Sequence, residues 1–182
     1  MSRETLLADA VEHFAKHGIG DASLRTIASS IGTSHRMLIY HFGSREGLLA
    51  EVVRTVEQQQ RDLLASLDVP ARPIAEQAEE FWRRVTDAAL VYGPLFFELS
   101  AHAMQDLPHT ESLKADLINV WLPPLTDLCI RAGIPKAEAP AYARLGLAAS
   151  RGLLFDLLLT GDRAGVDEAS ALLNRLFTLP VR

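Results

Sequence analysis

The chain has 182 residues, 48% hydrophobic and 23% charged, a composition that supports a sizeable core and excludes intrinsic disorder. Its single cysteine, Cys129, excludes a disulfide framework and a multi-cysteine zinc cluster. No apolar run approaches the roughly 18 residues of a membrane helix, and the start Met1-Ser-Arg-Glu-Thr has no apolar signal core, so a cytoplasmic chain is expected.

The net charge of −5 is unevenly spread. Residues 1–50 balance five Lys/Arg against five acids, and residues 22–45 contain Arg25, Arg36, Arg45, His35 and His41 with no acid. A basic window on an acidic protein is what phosphate docking requires.

In chain order, apolar spacings of three and four predict helices, and alternation of the strand type is nearly absent. Leu7, Ala10, Val11 and Phe14 form one face of a first helix that Gly18 stops. Ser23 caps a second helix, with Leu24, Ile27, Ala28 and Ile31 inward and Gly32 ending it. Thr33 or Ser34 caps a short third helix that turns Leu38 and Phe42 inward. Ser44 then caps a long fourth helix, with Glu46 in its first turn and Leu48, Leu49, Val52, Val53 and Val56 inward. The stretch Pro70-Ala71-Arg72-Pro73 breaks the chain. Helices are expected over residues 74–92, ending at Gly93-Pro94, and over residues 95–105. Another is expected over residues 110–131, kinked or broken at Pro123-Pro124, and another over residues 137–160. A turn at residues 161–165 precedes a last helix ending near Thr178. The fold class is all-α, with about nine helices.

The second and third helices have helix-turn-helix spacing. Counting Leu24 as the first position, a small Ala28 stands fifth, Gly32 ninth in the tight turn, and Leu38 fifteenth as the clamp. Two helices joined by so short a turn pack steeply, and the second protrudes enough to enter a major groove. Ser34, His35, Arg36 and Met37 then occupy its exposed first turn. Arg36 suits guanine O6 and N7, His35 suits guanine or phosphate, and Met37 suits a thymine methyl. Ser23, Arg25 and Arg45 are placed to hold phosphates.

The run from Ser23 to Leu49, and above all Leu38-Ile-Tyr-His-Phe-Gly-Ser-Arg-Glu-Gly-Leu-Leu49, resembles the N-terminal signature of TetR-type transcriptional regulators. The resemblance covers about residues 1–50. It implies a three-helix DNA-binding domain at residues 1–50 and a larger helical effector-binding and dimerisation domain at residues 51–182. It also implies that Tyr40 and His41 face phosphates. One position departs: the family commonly carries an aromatic residue where this chain has Ile39, so that DNA contact does not carry over.

By the same resemblance the middle helices surround an effector pocket. Phe81, Trp82, Tyr92, Phe96, Phe97, Met104 and Trp121 concentrate there, with Glu98, His102, Gln105 and Asn119 among them. Phe81, Trp82, Phe96, Phe97, His102, Met104 and Trp121 are the candidate lining. The helix over residues 137–160 carries small Gly146, Ala149, Ser150 and Gly152 beside many leucines, and its second half is apolar nearly all round, so it needs cover on two sides. Gly146, Ala149, Gly152 and Leu153, with Leu172 and Leu176 of the last helix, are the candidate dimer interface.

Competing constellations are weaker. His13 and His17 stand four apart without an obvious third metal ligand. Ser100, His102 and Asp106 supply hydrolase residue types on one helix without a nucleophile elbow. Gly18-Ile-Gly20 follows a helix rather than a strand, so it is not a phosphate loop. Cys129 reads as a small core residue. The expectation is a homodimeric, cytoplasmic repressor that binds operator DNA and is released by a small apolar or amphipathic effector, with no cofactor, metal, catalytic set or membrane. The alternatives are an effector-independent DNA binder and a helical hydrolase or metal enzyme.

Overall fold

The computed structural model describes residues 1–18, 22–67 and 72–178. Ile19 and Gly20, and Pro70 and Ala71 of the expected break, lie outside them. The described residues form nine α-helices and no strand: α1 Arg3–His17, α2 Leu24–Ser30, α3 His35–Phe42, α4 Arg45–Leu67, α5 Ile74–Met104, α6 Glu111–Asp116, α7 Leu122–Arg131, α8 Ala139–Thr160 and α9 Arg163–Thr178. A 3-10 turn, Pro108–Thr110, precedes α6. No helix among the described residues is long and apolar enough to cross a membrane.

The chain divides into two compact units. The first is Met1–Gln59 with Val91–Ala115; the second is Gln60–Leu90 with Asp116–Arg182. α4 and α5 each run from one unit into the other.

In the first unit, Leu6, Phe14, Ile27, Leu38, Leu48 and Val52 are fully buried. Each such side chain contributes about 1.5–3 kcal/mol on removal from water. The inward face of α1 differs from the expected one: Leu6, Ala10 and Phe14 are buried, while Leu7 and Val11 are only half-buried. Leu95, Leu99, Ala103 and Leu113 are also buried in this unit. Tyr92 donates its hydroxyl to the Val11 carbonyl at 2.9 Å, which ties α5 to α1.

In the second unit, Cys129, Ile134, Ala139 and Ala143 form one cluster and Trp82, Leu157 and Val166 another. Burial pushes the Cys129 thiol above its ordinary value, in keeping with a core residue. The Trp82 indole N–H donates to Asp167 at 2.8 Å, and Arg163 bridges Asp167 and Asp87, so α5 and α9 are joined by a polar network as well as by packing.

Three expected boundaries are corrected. α5 does not end at Gly93-Pro94; it continues to Met104, with buried residues both before and after the proline. The break expected at Pro123-Pro124 lies earlier, after Asp116, so the two prolines fall in the first turn of α7, where no intrahelical N–H is needed. α9 begins at Arg163, not after Gly165, because the Asp162 carboxylate accepts the Gly165 N–H at 3.0 Å and caps the helix. A side chain at Gly165 would meet that carboxylate at 2.5 Å.

Candidate nucleic-acid interface

The geometry of α2 and α3 follows from their caps. The Ser23 hydroxyl accepts the Thr26 N–H at 3.2 Å, and the Ser34 hydroxyl accepts the Met37 N–H at 3.2 Å. Each satisfies one of the four donors that a helix start leaves open. Between them, Gly32 adopts φ +69°, which lets the Thr33 N–H reach the Ala28 carbonyl at 2.9 Å. This six-residue closure ends α2 and sets the entry of α3. Ala28 is buried to 1% exposure, as its place in the turn requires.

Leu38 and Phe42 clamp α3 inward, at 0% and 8% exposure. The rest of the helix is outward. Ser34, His35, Arg36, Ile39 and Tyr40 are exposed, and Met37 and His41 are half-buried. Ser23 and Arg25, at the start of α2, are exposed as well. The predicted readers and phosphate holders therefore share the first unit and are open to solvent, Met37, His41 and Arg45 partly so. Tyr40 stands 78% exposed, with its ring edge-on to His41.

Arg45, an expected phosphate holder, is also bonded within the chain. Its Nε donates to the Ala22 carbonyl at 2.9 Å, tying the start of α4 to the start of α2. The N-terminal end of α4 is closed by Ser44, whose hydroxyl accepts the Gly47 N–H at 3.0 Å. The Glu46 carboxyl lies below its ordinary value, chiefly through its own backbone amide and further through Ser44, Arg45 and His109, against the opposing effect of burial. Arg3 joins the same region, paired with Glu51 at 2.9 Å and lying over the Phe42 ring.

Gly47 was not singled out in the sequence, yet there is no room for a side chain at that position. A Cβ there would clash with the Phe42 carbonyl oxygen. The glycine of Gly-Ser-Arg-Glu-Gly thus allows the end of α3 to lie against the first turn of α4. Its signal was present as the second glycine of the motif, but the reason needs the backbone.

The aromatic candidates fall into two groups. Phe81 and Trp121 meet in the second unit, 6.2 Å between ring centres, with the Arg61 guanidinium over Trp121. Trp82 belongs to the Leu157–Val166 cluster. Phe96 and Phe97 lie in the first unit, edge to face at 5.2 Å. Met104 is 78% exposed and lines no interior among the described residues.

The competing sets do not assemble. Ser100 donates to the Phe96 carbonyl of its own helix, Asp106 is paired with Lys114, and His102 meets His109, so no nucleophile–base pair forms from them. His13 and His17 stack at 4.6 Å, and His17 Nδ1 is bonded to the His13 carbonyl. Burial, then His17, lowers the His13 imidazole below its ordinary value.

The dimer candidates are also divided. Gly146 faces the Phe177 ring of the same chain, 3.4 Å from a built Cβ, and Leu153 packs beside Trp82, Leu157 and Val166. Ala149 is half-buried, whereas Gly152, Leu172 and Leu176 are exposed.

Residues 6–52 match the family model described as bacterial regulatory proteins, tetR family. A stretch of 39 residues is 51% identical to the HTH-type transcriptional regulatory protein RaaS of Mycobacterium tuberculosis. It covers 21% of this chain and 18% of that protein, so the match spans less than a fifth of the relative's length. The whole chain is similar in fold to a transcriptional regulator from Rhodococcus sp. Rha1, with TM-score 0.76, 20% identity and coverage of 97% of this chain and 96% of that one. A TetR transcriptional regulator from Legionella pneumophila aligns with TM-score 0.72 at 17% identity, covering 97% of each chain. BioQ, solved with its natural double-stranded DNA operator, aligns with TM-score 0.62 at 21% identity over 98% of each chain.

Proposed function

We propose that this chain, whose residues 6–52 match the tetR family of bacterial regulatory proteins, is a homodimeric, cytoplasmic repressor released from operator DNA by a small apolar or amphipathic effector. The observation that carries the reading is α3, clamped by buried Leu38 and Phe42 on one side and presenting His35, Arg36 and Tyr40 on the other. The window around it holds no acid. A helix so presented reads base edges, and the surrounding cations and hydroxyls hold phosphates.

Two copies of α3, related by a two-fold axis, read successive major grooves only at the correct separation. The exposed apolar residues of α8 and α9 support a second copy of the chain as their cover. The Phe81–Trp121 pair with Arg61 supports an effector with an apolar body, taken up in the second unit. An effector that binds better to the dimer with misplaced readers shifts the population away from DNA. α4 is unbroken from Arg45 to Leu67 and carries that change toward α3.

The test is selection of an operator from random duplexes, followed by titration of variants. Arg36→Ala is expected to lose about 1–3 kcal/mol at one base pair and to relax selectivity there. Arg25→Ala is expected to weaken all sequences alike and to reduce the salt slope by about one phosphate. A wild-type chain that enriches no sequence overturns the reading.

A further inference from the structure

We propose that His102 and His109 form an exchangeable two-imidazole clip for one divalent transition-metal ion. The inference stands apart from the effector reading and does not depend on it.

The clip is a product of the chain reversal after α5. Asp106 takes φ +56°, an uncommon conformation for a residue other than glycine. There the Leu107 N–H closes on the His102 carbonyl at 3.2 Å, and the Asp106 carboxylate is held by Lys114. On the far side, Thr110 returns both its N–H and its hydroxyl to the Leu107 carbonyl, at 2.9 and 2.7 Å. The reversal is thereby fixed at both ends. It brings His109 Nε2 to 3.1 Å from His102 Nδ1, with the rings at 89° and both side chains half-buried.

Without an ion, one nitrogen donates its proton to the other. The same spacing suits a metal. Imidazole nitrogens bound at about 2.0–2.1 Å with angles between square and tetrahedral lie about 2.8–3.4 Å apart. An ion can therefore bridge the two nitrogens once the donating ring carries its proton on its other nitrogen and both rings turn their lone pairs toward the ion. Imidazole donors favour Zn²⁺, Cu²⁺ and Ni²⁺. Among the described residues no group of three or more His, Cys, Asp or Glu side chains is placed to hold a metal. Water must complete the coordination, which makes the ion exchangeable and excludes a closed structural site. The Glu46 carboxylate, which feels His109, supplies nearby negative charge.

His13 and His17 provide the internal comparison. Their rings lie nearly parallel, at 25°, and His17 Nδ1 is occupied by a backbone carbonyl. The experiment uses the full chain without an affinity tag, carrying His13→Ala and His17→Ala, titrated with ZnCl₂ and with CuCl₂ in a non-coordinating buffer. One ion per chain is expected, with a rise in Tm on adding Zn²⁺. Electron spin-echo modulation of the Cu²⁺ form is expected to show two imidazole nitrogens. Adding His102→Ala or His109→Gln is expected to weaken binding at least tenfold and to abolish the Tm rise. Absence of saturable binding, or fewer than two imidazoles on Cu²⁺, overturns the proposal. Binding that survives both the His102 and His109 variants overturns it too. The spectroscopic count needs no change at either residue, so a count below two overturns the proposal even where such a variant fails to fold.

Discussion

Leu6, Phe14, Ile27, Leu38, Leu48 and Val52 of the first unit show no exposed surface, whereas Leu145, Phe155, Leu159, Leu172 and Leu176 of the second are 49–70% exposed. The first unit does expose Ile39 and Tyr40, which stand on α3 among its DNA-reading candidates, and Met1 and Met104, which stand apart from them at the chain start and at the end of α5. On α8, Leu145, Gly152, Phe155 and Leu159 recur at helical spacing and make a stripe, and Leu172 and Leu176 stand one turn apart on α9. Large apolar patches of this kind mark interaction surfaces. The difference teaches that the first unit closes its own core, while α8 and α9 retain an exposed apolar face.

The largest effect is expected where that second face is charged. Leu172→Arg leaves the lone chain intact because the position is already 50% exposed. In a dimer it buries an unpaired charge at a cost of several kcal/mol. Sedimentation is expected to show monomers, with operator affinity reduced in parallel. A variant that stays dimeric with unchanged affinity would put α9 outside the interface and remove the contrast.

A smaller loss is expected at Gly47, where the Phe42 carbonyl leaves no room for a side chain. Gly47→Ala places a methyl group against the Phe42 carbonyl, and overpacking of this kind costs about 1–3 kcal/mol. Urea unfolding measures it, and an unchanged midpoint would mean that α3 and α4 separate freely there. Next in size is the cap of α3. Ser34→Ala is expected to cost about 1 kcal/mol, whereas Ser34→Asp restores the acceptor. Equal stability of the two variants would remove the cap from the account.

The smallest effect concerns pH. The folded state holds the Glu46 carboxyl below its ordinary value of 4.5, so its contribution is present above that value. It is lost as pH falls from about there through the lower folded value. Glu46→Gln is expected to flatten the acid limb of the stability curve slightly. An acid limb identical to wild type would mean that the carboxylate gains nothing from its amide and Ser44.

Legibility followed the range of the forces involved. The caps Ser23 and Ser34, the turn at Gly32 and the clamp Leu38 were readable because each acts within a few residues. The continuation of α5 through Pro94 was not. An interior proline costs about 3 kcal/mol, but burial of Leu95 and Leu99 alone returns a comparable amount. The start of α7 was misplaced for the converse reason: Pro123 and Pro124 were read as breaking a helix, when they sit in its first turn.

The sequence by itself determined the all-helical class, the helix-turn-helix of α2 and α3 and the outward set on α3, since periodicity, capping and turn chemistry are local. Tertiary structure alone decided that Val91–Ala115 joins Met1–Gln59 in one unit and that His102 meets His109. It also decided that Gly146 serves Phe177 of its own chain and that Gly47 must lack a side chain. These depend on which surfaces meet. Close approach between segments distant in sequence is set by the sum of burial over the whole core, which no local pattern records.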